Sequence, residues 1–67
     1  MEFSQLVYEA RKSLKITQEH LARELGVSFS TVNRWEKGKA FPNNLARKAF
    51  FKFCKDNNLK IEEGDLC

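Results

Sequence analysis

Sixty-seven residues, 42% hydrophobic and 31% charged, make one small domain at most and are too apolar for a chain that stays unfolded. No apolar run nears the roughly 18 residues of a membrane span. No basic segment leads into an apolar one as an export signal does, so a cytoplasmic location is expected, with Cys54 and Cys67 as free thiols.

The net charge of +3 is unevenly laid out. Residues 1–26 are balanced, with four acids against four bases. Residues 27–55 set Arg34, Lys37, Lys39, Arg47, Lys48, Lys52 and Lys55 against Glu36 alone. Residues 56–67 carry Asp56, Glu62, Glu63 and Asp65 against Lys60. A basic middle suits a polyanionic partner, though lysines on the wet face of a helix give the same count.

In chain order, Phe3, Leu6, Val7, Ala10 and Leu14 recur at three- and four-residue spacing and predict a first helix over about residues 2–14. Ser4 is its candidate cap, and Arg11 lies beside the apolar stripe. Thr17 is placed to cap a second helix with Leu21, Ala22 and Leu25 inside. Gly26 ends that helix, as a residue tolerant of left-handed backbone does. Ser28 caps a third helix to about Lys37 with Val32 and Trp35 inward, and Gly38 closes it.

Pro42 and Asn43-Asn44 mark a turn and a new start. A fourth helix is expected over about residues 44–56, with Leu45, Ala46, Ala49, Phe50 and Phe53 on its inner arc and Cys54 at the flank. Phe51 points away among Arg47, Lys48 and Lys55, and either receives Leu59 and Ile61 from a folded-back tail or meets another chain. Two-residue periodicity is almost absent. The fold class is therefore all-α, a compact bundle of four to five helices, as one domain over residues 1–58. Residues 59–67 read as a short acidic tail, irregular or partly disordered.

The second and third helices meet the demands of a helix-turn-helix. Steep crossing needs a small residue on the inner face of the first helix, which Ala22 supplies. The turn needs Gly26, and a compact knob must face the alanine, which is Val32. Leu21, Leu25, Val27 and Trp35 complete the buried set. Residues 16–42, Ile-Thr-Gln-Glu-His-Leu-Ala-Arg-Glu-Leu-Gly-Val-Ser-Phe-Ser-Thr-Val-Asn-Arg-Trp-Glu-Lys-Gly-Lys-Ala-Phe-Pro, closely resemble the Cro/phage-repressor (XRE-type) helix-turn-helix family, whose domains are lambda-repressor-like. With Arg11 the resemblance extends over about residues 3–55.

The resemblance implies a third helix lying in the major groove of double-stranded DNA, with Phe29, Ser30, Asn33 and Arg34 at base edges. The inward Val32 and Trp35 agree with that assignment. Arg34 suits guanine O6 and N7, Asn33 suits adenine, and Phe29 suits a thymine methyl. Alternatives stay open here: Phe29 covering the core edge, Arg34 on a phosphate, Asn33 merely solvated. Thr17, Gln18, Ser28, Thr31, Lys37, Lys39 and Asn43 are the phosphate candidates, with capping or solvation as the plainer role for Ser28 and the lysines. Glu36 would repel phosphates, and the resemblance implies instead a structural pair with Arg11.

His20 has no matched ligands, no Cys/His spacing suits zinc, and no nucleophile has partners. No enzyme activity, cofactor or metal is expected. The reading is a sequence-specific, prokaryotic or phage-type transcriptional regulator, with a homodimer as a candidate assembly. Two alternatives stand beside it: a DNA-targeting module of an antitoxin or a larger restriction/modification protein, and a protein-interaction module that does not bind DNA.

Overall fold

The computed structural model describes residues 1–66. Cys67, counted above as a thiol and as the end of the tail, lies outside the described residues. Four α-helices follow one another, α1 (Phe3–Leu14), α2 (Gln18–Leu25), α3 (Phe29–Glu36) and α4 (Asn44–Asp56), and a 3-10 turn covers Glu63–Asp65. There is no strand among the described residues, and the all-α class holds.

Each helix starts where its backbone amides find a side chain. Thr17 Oγ1 accepts from the His20 amide at 3.0 Å, Ser28 Oγ from the Thr31 amide at 3.1 Å, and Asn43 Oδ1 from the Ala46 amide at 2.8 Å. The start of α1 differs from expectation. Its cap is Glu2 rather than Ser4, and the Glu2 amide donates to Gln5 Oε1 at 3.2 Å. Ser4 lies inside the first turn, two positions past the cap.

Helix ends follow backbone handedness. Gly26 closes α2 at φ +72, its amide donating to the carbonyls of Ala22 and Arg23. A Cβ built there would meet nothing within 4 Å, so conformation, not space, calls for glycine. Lys15 does the same task for α1 at φ +56 without that freedom.

α3 packs against both α1 and α2, and α2 also touches α4. The buried core comprises Phe3, Leu6, Val7, Ala10, Leu21, Ala22, Val32, Trp35, Phe50 and Cys54. Phe3 is its hub, edge-on to Trp35 at 5.5 Å and to Phe50 at 5.2 Å between ring centres.

Two residues of α4 exchange the places expected for them. Leu45 is 80% exposed, and Cys54 is fully buried. At 3.6 residues per turn, Cys54 falls about 40° from Phe50 on the helix wheel, whereas Leu45 falls about 140° away. The observed stripe runs through Phe50 and Cys54, with Ala46 and Phe53 partly buried beside it. Burial pushes the Cys54 thiol up to about 11.

Residues 57–66 turn back over the α1–α4 edge. Asn57 caps α4, and Asn58 takes φ +59 to reverse the chain. Leu59, Ile61 and Leu66 then pack, partly buried, against the core. Phe51 lies edge-on to Phe50 at 5.1 Å, partly buried, and borders one groove with Leu59 and Ile61 of the folded-back tail.

Candidate nucleic-acid interface

The outer face of α3 follows from what its inner face must do. Val32 and Trp35 are 0% and 2% exposed, which turns Phe29, Ser30 and Arg34 to solvent and leaves Asn33 at the margin. Phe29 is 51% exposed and therefore does not fold back over the core edge. Ser30, Asn33 and Arg34 sit with it on the same side, so the four residues expected at bases are brought together on one helix.

Arg11 and Glu36 hold that helix in place. Arg11 Nε donates to Glu36 Oε2 at 2.7 Å and Nη2 to Glu36 Oε1 at 3.0 Å, a bidentate pair between α1 and the last residue of α3. Nη1 donates to the Ile16 carbonyl at 3.3 Å, which ties the α1–α2 connection to the same guanidinium. The Tyr8 ring lies 5.6 Å beneath the guanidinium carbon. The hydrogen bonds to Glu36 push the Arg11 pKa still further up, against the opposing cost of burial. Glu36 is thereby occupied inside the fold rather than offered at the surface.

The phosphate candidates divide by what their polar atoms already do. Thr17, Ser28 and Asn43 have their side-chain oxygens engaged as helix caps. Thr31 shares a 2.8 Å hydroxyl contact with Ser28 Oγ. Gln18 opens α2, where amides are free and the dipole favours an anion. Arg34, Lys37 and Lys39 are exposed, and their side chains enter no ion pair among the described residues. Arg11, Arg23, Arg47 and Lys52 are all spent on carboxylates.

One link escapes sequence reading. Asn33 Nδ2 donates to Gln18 Oε1 at 3.1 Å, partly buried between α3 and α2. The residues are fifteen apart, and only the crossing of the two helices makes them neighbours. Their shared signal in the sequence is merely that both are primary amides near the inner edge of their helices.

No described helix is long and apolar enough to cross a membrane. The Helix-turn-helix family model matches residues 7–48. The HTH-type transcriptional activator BcrR of Enterococcus faecalis is 40% identical over 53 residues, covering 79% of this chain and 26% of that protein. The chain thus spans about a quarter of the length of that relative. The solution structure of the DNA-binding domain of the P22 C2 repressor (residues 1–76) superposes with a TM-score of 0.76 at 29% identity, over 82% of this chain and 72% of that one.

Proposed function

Because the chain belongs to the XRE-type helix-turn-helix family, we propose that it is a sequence-specific double-stranded DNA-binding regulator of transcription that lays α3 in the major groove. The observation that carries the groove assignment is the row Phe29, Ser30, Asn33 and Arg34, exposed or marginal on one face while Val32 and Trp35 anchor the other. Arg34 reads guanine O6 and N7 as a fork, and Asn33 reads adenine. Phe29 offers an apolar edge to a thymine methyl, and Ser30 a hydroxyl to neighbouring bases.

Gln18, Lys37 and Lys39 hold the flanking phosphates and fix the helix in register. Thr17, Ser28 and Asn43 add contacts through whatever hydrogen-bonding capacity their capping roles leave, and Thr31 through what its contact with Ser28 leaves. The relative named above is an activator and the structural neighbour a repressor domain, so the sign of regulation belongs to the whole protein and its operator. Two copies on neighbouring half-sites, about one helical turn apart, are the assembly that suits such a module.

Selection of bound duplexes from a random pool tests the reading, with Arg34→Ala run in parallel. The wild-type chain enriches one motif, and Arg34→Ala loses roughly 1–3 kcal/mol of discrimination at a single guanine. Lys37→Ala weakens every duplex alike and lowers the salt slope by about one. A wild-type chain that enriches no motif ends the proposal. An Arg34→Ala variant with full specificity removes Arg34 from the bases.

A further inference from the structure

The two aromatic residues of α3 are used differently by the fold. Trp35 is 2% exposed and meets Phe3 edge-on. Phe29 opens the helix, is 51% exposed, and belongs neither to the buried core nor to the apolar residues packed against it. The ring contacts among the described residues join Phe3, Trp35, Phe50 and Phe51 and leave Phe29 out. A ring that stays in water gives up the stability its burial would supply. Its neighbours on the exposed row are polar, with Ser30 beside it and Asn33 one turn on.

At the base edges of the major groove the apolar group is of one kind, a methyl on C5 of a pyrimidine. Thymine carries it in ordinary DNA, and 5-methylcytosine carries the same group on the same atom. The two bases differ in the next substituent, a carbonyl that accepts in thymine and an amino group that donates in cytosine. To tell them apart, a reader needs a group beside Phe29 that only donates or only accepts. Ser30 does both through its hydroxyl, and the Asn33 amide does both through its two ends. Arg34 only donates, but at 3.6 residues per turn it lies about 140° round the helix from Phe29. The side of α3 that carries the ring is equipped to detect the methyl group without insisting on thymine.

We propose that Phe29 recognises the C5-methyl group itself, so that DNA methylated at cytosine C5 is a ligand of this chain and methylation of one cytosine strengthens its binding. The inference rests on the DNA-binding reading above and gives that site a modified substrate. Cytosine C5 methylation is the class of reaction that would supply it, and it would tune occupancy with no change in the protein.

The test alters the motif selected from the random pool one pyrimidine at a time, with thymine replaced by deoxyuridine and cytosine by 5-methylcytosine. Each duplex is titrated with the full chain. Every comparison changes a single methyl group and leaves the hydrogen-bonding edges as they were. At one thymine the wild-type chain should lose roughly 3- to 10-fold in Kd when the methyl is removed. The same position rebuilt as a C·G pair should bind roughly 3- to 10-fold more tightly once its cytosine is methylated. In Phe29→Ala both ratios should fall to about one, whereas Phe29→Leu, still apolar, should keep most of each. Because the ring lies outside the core, both variants should melt as wild type does.

Equal binding of the cytosine and 5-methylcytosine duplexes by the wild-type chain overturns the inference. A methyl ratio that survives Phe29→Ala overturns it too. A motif in which no methyl group matters also overturns it and leaves the regulator reading intact. A wild-type chain that selects no motif defeats both.

Discussion

The two ends of the molecule each carry an arginine–glutamate pair, and the pairs are built differently. Between α1 and α3, Arg11 and Glu36 meet fork to fork at 2.7 and 3.0 Å, with side chains only 18% and 9% exposed. Between α4 and the tail, Arg47 Nε stands 3.1 Å from Glu63 Oε2, with side chains 38% and 56% exposed. That Nε is itself shut off from solvent yet has no hydrogen-bond partner, so the contact has the distance of an ion pair without its alignment. The first pair joins two helices whose crossing is already fixed by Ala10, Val32 and Trp35. The second depends on a segment with one short turn and three half-buried apolar anchors. Identical chemistry is a structural lock in one place and a loose tether in the other.

The largest expected effect tests the lock. Arg11→Met leaves the Glu36 carboxylate nearly buried without its partner and should cost about 3–5 kcal/mol. A domain of this length holds on the order of 3–10 kcal/mol in all. Thermal unfolding followed by helical circular dichroism should therefore show a variant near the edge of folding. Adding Glu36→Leu should restore most of the loss, because an apolar pair carries no desolvation penalty. A negligible change on the first substitution would place this pair in the same class as Arg47–Glu63.

The α4 end is not weak throughout, and its buried thiol offers a measure of that. Cys54 is fully buried, and its pKa in the fold is about 11 against an ordinary 9.0. Below pH 9 the thiol is neutral whether the chain is folded or not, and nothing is lost. Between pH 9 and 11 the unfolded chain releases the proton while the folded chain keeps it, so stability falls as pH rises. At about 1.4 kcal/mol per pKa unit the loss approaches roughly 2–3 kcal/mol at the upper limit. Denaturant midpoints from pH 8 to 11 for wild type and Cys54→Ala isolate this contribution, since every other group is common to the two chains. The variant should start lower and fall less. Parallel slopes would mean that the α4 core admits water.

The same contrast governs what could be read from the sequence. The α2–α3 unit was legible because close crossing leaves few solutions: a small residue at 22, glycine at 26 and a compact knob at 32. Its caps were legible too, because Thr17 and Ser28 each stand just before an apolar period. On α4 the apolar residues outnumber what one face can bury. Leu45, Phe50, Phe51, Phe53 and Cys54 allow several faces, and only packing under Phe3 chooses Phe50 and Cys54. Lys15 gave no sign of its left-handed backbone, since the signal for that conformation is glycine. Gln18 was legible as a phosphate donor and Asn33 as a base reader. Their hydrogen bond was not, because it exists only where two helices meet.

The smallest effect belongs to the tether. Glu63→Gln removes the charge facing Arg47 but keeps the size of the side chain, and both partners are more than a third exposed. Solvent and salt screen such a pair, so its contribution is about 0–1 kcal/mol. For a domain of this size that corresponds to a shift in Tm of no more than about 4–8 °C. Local opening should reveal more than the melt does. The amides of Asp65 and Leu66, which donate to Glu62 and Glu63 within the 3-10 turn, should exchange faster in the variant. Those of Leu21 and Val32 should not change. Salt at about 1 M should speed the same two amides in the wild-type chain and add little to the variant. If Glu63→Gln instead cost as much as Arg11→Met, the tail would be part of the core, and exposure would be a poor guide to which of the two pairs holds the fold.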